Sequence, residues 1–260
     1  MGPTVELQVE AGVAVLTLND VPRKNAMSPE LGDALAARVG ELLGHPEVRA
    51  VVLTGAGGAF SAGGDLAMLD KLRSLPFEEA RRFMLSFYAR YLSVLDVRVP
   101  VIAAIEGPAI GAGLCVALAC DLVIVGEDSK LGLNFVQLGL HPGMGATYLV
   151  PRKVGAQRAA ELLLTGRRFE GKEAQTLGLA LEAVPAKDVL PRAMALAKRI
   201  ASGAPLAMRA LKQGLGVDRT ALQAALEREA LAQAESYGSV DLGEGLKAVS
   251  ERREPRFVGR

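Results

Sequence analysis

Ser61, Asp121 and His141 follow one another in the order nucleophile, acid, base, which in one family of hydrolases would serve acyl transfer. Ser61 lies in Ala59-Phe60-Ser61-Ala62-Gly63, one residue away from the Gly-x-Ser-x-Gly turn that presents such a serine. That turn must follow a strand at once, whereas here the apolar run ends near Thr54 and three glycines intervene. The phosphate-binding patterns fail as well. Gly55-Ala56-Gly57 and Gly111-Ala112-Gly113 are followed by Phe60 and Val116, where a dinucleotide loop needs its third glycine. Gly166 to Lys172 resembles a nucleotide loop, but Glu173 stands in place of the Mg²⁺-binding hydroxyl, so the segment reads as a turn between two helices.

Two glycine-rich segments make more chemical sense together. Phe60 to Leu66 lies between a strand and a helical stretch, and Ile105 to Gly113 joins an apolar strand to an apolar helix from Leu114 to Cys120. Small residues let a ligand approach backbone N–H groups, and a helix N-terminus adds partial positive charge. Two N–H donors converging on one oxygen would form an oxyanion hole.

The elements that must position these segments are legible in outline. Val5, Leu7 and Val9 alternate, Ala11-Gly12 turns, and Val13 to Leu18 returns, which predicts a hairpin. Ser28-Pro29-Glu30 starts a helix whose face carries Leu31, Leu35, Val39 and Leu42, and Gly44-His45-Pro46 stops it. Residues 50–53, 101–105 and 122–125 are continuous apolar runs, which suit strands covered on both faces of an α/β fold. Phe83, Phe87, Tyr91 and Val94 recur at helical spacing. A core over residues 1–190 is expected, followed by helices alone over 191–260: Ala193 to Ile200, Pro205 to Leu215 and Thr220 to Tyr237. Such a helical region is expected to pack across a neighbouring copy. The closing Arg252 to Phe257 is basic and reads as a solvated tail.

Composition removes whole classes of function. The 260 residues are half hydrophobic, and 30 Lys and Arg balance 29 Asp and Glu to leave +1, with no run of like charge. A nucleic-acid partner would want a basic face, so none is expected. The longest apolar stretch, Pro108 to Ala119, falls short of the roughly 20 residues that span a membrane. Met1 to Asp20 alternates instead of joining a charged stretch to an apolar block, so no signal peptide is expected. Cys115 and Cys120, five apart on one helix, diverge by about 140° and read as core residues of a reducing cytoplasm. No metal site is expected.

The ordered set of motifs resembles the crotonase superfamily, whose type member is enoyl-CoA hydratase. It comprises Leu18-Asn19, Lys24-Asn25-Ala26-Met27, Val51 to Gly55, Ala59 to Leu66, Pro100 to Gly107, Ala119-Cys120-Asp121, Leu138 to Gly143 and Leu163 to Arg167. The resemblance implies a spiral of ββα turns, trimers that often pair into hexamers, and acyl-CoA thioester substrates, CoA being part of the substrate and not a separate cofactor. By position it assigns the oxyanion hole to the N–H groups of Gly64 and Ala112, beside Gly63 and Gly111. Ala62, Asp65 and Leu66 match the stretch that cradles the adenine end of CoA. Arg23, Lys24 and the tail of an adjacent chain become partners for CoA phosphates.

The family's hydratases use two glutamates, and Cys115 and Phe135 stand at those positions; isomerases keep the second one, which is also absent. Other members carry Asp in the Pro-Gly loop, where this chain has Gly143. His141 is the nearest titratable replacement, either an acid–base group or a structural histidine. Ordinary enoyl-CoA hydration is therefore not expected. Enolate chemistry such as decarboxylation of a malonyl-type thioester, and CoA-ester binding without turnover, both stay open.

Overall fold

The computed structural model describes residues 2–260; Met1, the first residue of the stretch read for a signal peptide, lies outside them. Strands β1 (Thr4–Glu10) and β2 (Val13–Asn19) form the expected antiparallel hairpin, with Ala11 and Gly12 at positive φ. Next come α1 (Pro29–Leu42), capped by the Ser28 hydroxyl on Leu31 N, and β3 (Ala50–Gly55). Helices α2 (Leu66–Leu72) and α3 (Phe77–Leu92) follow. Two ββα turns come after them. The first is β4 (Val101–Ile105), β5 (Ala109–Ile110) and α4 (Ala112–Ala119); the second is β6 (Leu122–Gly126), β7 (Lys130–Gly132) and α5 (Ala146–Thr165). Then β8 (Arg168–Glu170), α6 (Gly171–Leu177) and β9 (Glu182–Val184) precede α7 (Val189–Ala201), α8 (Pro205–Leu215), α9 (Arg219–Tyr237) and α10 (Val240–Glu251).

Each ββα turn sends one strand to each of two sheets, which makes the chain a spiral. The larger sheet runs β1-β2-β3-β4-β6-β9 and is parallel from β2 onward; the smaller runs β5-β7-β8. The continuous apolar strands have a simple cause. Side chains alternate across a strand, so Val51, Leu53, Ala103 and Ile105 face the main core, which also holds α1, α3, α4 and α9. Ala50, Val52, Ile102 and Ala104 face a second core closed by Val189, Ala193, Ala197 and Ala201 of α7.

The structure redraws four details. Gly166 to Lys172 is not a bare turn between helices: it contains β8, which pairs with β7 and buries Phe169. The 190/191 boundary falls inside α7, whose alanines pack on the sheet of its own chain. Helix α10 was not anticipated because Gly243 and Gly245 interrupt its pattern. A Cβ on Gly245 would lie 2.2 Å from the Leu138 carbonyl oxygen, so glycine is required where that helix touches the loop. The basic tail is anchored, with Arg253 paired to Glu244 and Glu251, and the Val258 and Gly259 N–H groups donating to Asp241. Among the described residues, no helix is long and apolar enough to cross a membrane.

Candidate functional site

The two glycine-rich segments lie side by side, tied by main-chain bonds. Phe60 N and Ser61 N both donate to the Pro108 carbonyl at 3.0 Å, and Ile110 N donates to the Ser61 carbonyl at 3.1 Å. Gly63 has φ +92°, and a Cβ there would meet the Ile110 carbonyl oxygen at 2.8 Å. Gly111, at φ +52°, donates to Gly132 O and turns the chain into α4. A Cβ on Gly113 would lie 2.6 Å from Ser61 Cβ, so α4 can press on this loop only with glycine there. Asn25, buried and at positive φ, accepts from Asp20 N and donates to the Ala56 and Ala59 carbonyls, which fixes the approach to the first segment.

The outcome is two free donors. Among the described residues, no acceptor of the chain reaches Gly64 N or Ala112 N. Ala112 is the first residue of α4, where N–H groups have no partner within the helix. Both residues line one cavity of about 540 Å³. The whole stretch Ala62 to Leu66 lines it, with Arg23 and Lys24 at its exposed rim. Gly111 and Phe135 also line it, and Arg168 adds a further cation at the rim. The buried wall is apolar, with Leu69, Met84, Phe87, Leu140 and Met144.

Asp65 is, among the described residues, the one carboxylate that lines the cavity. One of its oxygens caps α2 at Met68 N, 2.8 Å away, and the other lies 3.4 Å from Arg23 Nη1. Arg23 also holds Asp20 at 2.7 Å.

Neither Cys115 nor His141 lines the cavity. Cys115 is fully buried within α4, and burial, with Glu229 nearby, pushes its thiol well above the ordinary range. A thiol held neutral is a poor base. His141 points its Nδ1 at the Pro142 carbonyl oxygen, 2.6 Å away, which makes that nitrogen the donor. Nor does a hydrolase triad assemble. The Ser61 hydroxyl is buried, donating to Asn25 O at 2.8 Å and accepting from Gly63 N at 3.2 Å. Asp121 accepts from Val101 N and Lys212 Nζ instead of from His141. Among the described residues, no three His, Cys, Asp or Glu side chains are grouped to hold a metal ion.

Sequence reasoning missed Tyr88 and Gln233, which also line the cavity. The Tyr88 hydroxyl donates to Gln233 Oε1 at 2.7 Å, and Gln233 Nε2 donates to the His141 carbonyl at 2.8 Å. The signal was present in α9. Leu222, Leu226 and Ala230 mark its buried face, and Glu229 and Gln233 fall on that face as polar exceptions. Glu229 accepts from Gly145 N, Thr147 N and the Thr147 hydroxyl, capping α5 from a distance. Burial raises its carboxyl pKa, against the lowering effect of these bonds.

A sequence model of the enoyl-CoA hydratase/isomerase family matches residues 8–260. The chain belongs to that family. A Thermus thermophilus protein provisionally named an enoyl-CoA hydratase is 42% identical over 253 residues, covering 96% of this chain and 100% of the relative. The crystal structure of an enoyl-CoA hydratase/isomerase from Pseudoalteromonas atlantica superposes with a TM-score of 0.86 at 29% identity, covering 98% of this chain and 100% of that one. An enoyl-CoA hydratase from Mycobacterium avium subsp. paratuberculosis gives 0.84 at 29% identity, with 98% of each chain covered. The expected family and its spiral fold are thus shown.

Proposed function

We propose that the protein is an acyl-CoA enzyme that holds a thioester carbonyl between Gly64 N–H and Ala112 N–H and stabilises the enolate formed from it. The observation that carries this reading is the pair of free N–H donors on a mostly apolar cavity. A thioester enolate carries its charge on that oxygen, so donors aimed there lower the barrier at the neighbouring carbons. Arg23, Lys24, Ala62, Asp65 and Leu66 take the CoA portion at the rim, and the acyl group enters the apolar wall. The protein works in the cytoplasm, with Cys115 and Cys120 as free thiols. Copies of the chain assemble as trimers or multiples of them through the helical C-terminal region, a reading supported by leucines on α8 that its own chain leaves exposed.

Hydration of a double bond needs a base to activate water and an acid to protonate carbon, each typically worth 10²–10⁴-fold. Phe135 can do neither and Cys115 is buried away, so crotonyl-CoA hydration falls short of a competent hydratase by roughly 10⁴-fold. Chemistry that makes the enolate without a base suits the site better. In a malonyl-type thioester the carbon–carbon bond pair passes to the thioester as CO₂ leaves, and a proton then closes the α-carbon.

A mass-spectrometric panel of crotonyl-CoA and malonyl-type thioesters tests this, with Gly64→Pro and Gly64→Ala alongside the wild type. Alanine keeps the N–H, and its Cβ meets only Leu69 carbons at 3.7 Å or more. Turnover in wild type and Gly64→Ala, lost in Gly64→Pro, is the expected result. Tight binding with no product from any thioester would mean a CoA-ester-binding protein instead, and ordinary crotonyl-CoA hydration would overturn the reading.

A further inference from the structure

We propose that the side-chain amide of Asn134 binds the departing carboxylate of a malonyl-type thioester and so orients the bond that breaks. The inference rests on the enolate reading above and adds one side chain to its two main-chain donors. Asn134 lines the cavity and is half-buried. The other uncharged polar side chains there, Tyr88, Gln233 and Tyr237, are bonded within the chain. Asn134 differs from them. Its main-chain oxygen accepts from Gln137 N, but among the described residues its side chain has no partner. Among those residues no side-chain nitrogen or oxygen is both sealed from outside and without a partner, so this amide is open to the cavity.

The main chain holds Asn134 beside the second glycine segment. Gly111 N donates at 2.7 Å to the carbonyl of Gly132, two residues before Asn134, and a Cβ built on Gly111 would lie 3.9 Å from Asn134 Oδ1. Ala112, with its free N–H, comes next in the chain. In a malonyl-type group the thioester and the carboxylate share one α-carbon, so a ligand held at Ala112 N–H brings its carboxylate to this neighbourhood. As the carbon–carbon bond breaks, its electron pair passes to the thioester oxygen and CO₂ leaves. The α-carbon then takes a proton from water, and the hydroxide left behind joins CO₂ as bicarbonate. Negative charge thus moves away from the carboxylate. A cation bonded there would stabilise the ground state and lose its contact at the transition state, which slows the step. The cations that line the cavity, Arg23, Lys24 and Arg168, are exposed at its rim. A neutral amide N–H holds the carboxylate less tightly. Holding it out of the thioester plane aligns the breaking bond with the carbonyl π system.

The test is steady-state kinetics of wild type, Asn134→Leu and Asn134→Asp on malonyl-CoA and methylmalonyl-CoA, with inhibition by the products acetyl-CoA and propionyl-CoA measured alongside. Leucine keeps the size and removes the donors, whereas aspartate keeps the shape and repels a carboxylate. Each variant should lose about tenfold or more in kcat/KM, the worth of one hydrogen bond to a charged group. Inhibition by the product, which has no carboxylate, should move by less than about twofold. The aspartate variant should regain activity relative to the leucine variant as pH falls toward about 4, where its carboxyl takes up a proton and can donate again. A merely structural role would weaken turnover and product inhibition in parallel, and that result overturns this proposal alone. So does wild-type turnover that both variants keep within about twofold. No turnover of either malonyl-type thioester by wild type overturns the decarboxylation reading above and this proposal with it.

Discussion

Helices α4 and α8 are both rich in alanine and leucine, and they end up in opposite surroundings. All eight residues of α4 are buried, and its N-terminus is pressed so close to Ser61 that only glycine fits at 113. No residue of α8 is buried, and Leu206, Leu211 and Leu215 are 80%, 55% and 74% exposed. The difference is one of what each helix finds within its own chain. Strands and helices surround α4 on every side, which leaves its first N–H groups as its only open end. Its neighbours cover α8 at Met208 and Lys212 alone, which leaves its leucines facing outward.

The sharpest way to break this contrast is one substitution made in both helices. Gly113→Ala should destabilise the protein by about 3 kcal/mol in denaturant unfolding, since the new Cβ falls within 2.6 Å of Ser61 and cores resist overfilling. A neutral outcome would mean α4 is not held against that loop. Second in size is the effect on assembly. Leu206→Lys with Leu215→Lys should reduce the light-scattering mass from a multiple of the chain to one chain; an unchanged mass would remove α8 from the interface. Third, Gly214→Ala, with nothing within 4 Å of its new Cβ, should stabilise by about 0.5–1 kcal/mol, reversing the sign seen at Gly113. A loss of stability there would show α8 to be covered after all.

The smallest effect concerns the carboxylate that caps α5. Burial holds the Glu229 pKa above its unfolded value, so the folded state binds that proton more tightly. Its contribution is then greatest at low pH and is lost as pH rises from about 4.3 through the higher folded value. The melting temperature of Glu229→Gln minus that of wild type should therefore rise over this interval. A flat difference would show that Glu229 titrates as it does in water.

What could be read from the sequence follows a physical rule. Strands β3, β4 and β6 were legible because both their faces are covered, which leaves an unbroken apolar run. The glycine segments were legible because close main-chain approach admits so few residue types, as Gly63 and Gly113 show. Strand β8 escaped because three residues carry almost no period, and α10 because its glycines answer to Leu138 and not to helix propensity. Tyr88 and Gln233 lie 145 positions apart, and neither gains a chemical meaning until α3 and α9 are packed together. Cys115 and His141 were singled out by position alone, and position does not reveal which way a side chain turns.

Every amino acid except proline brings a main-chain N–H. The spacing of Gly64 and Ala112 is set by peptide-to-peptide bonds between residues 60–61 and 108–110, so drift in the surrounding side chains leaves the pair standing. Two open main-chain donors can therefore persist through substitutions that would erase any side-chain group at the same place.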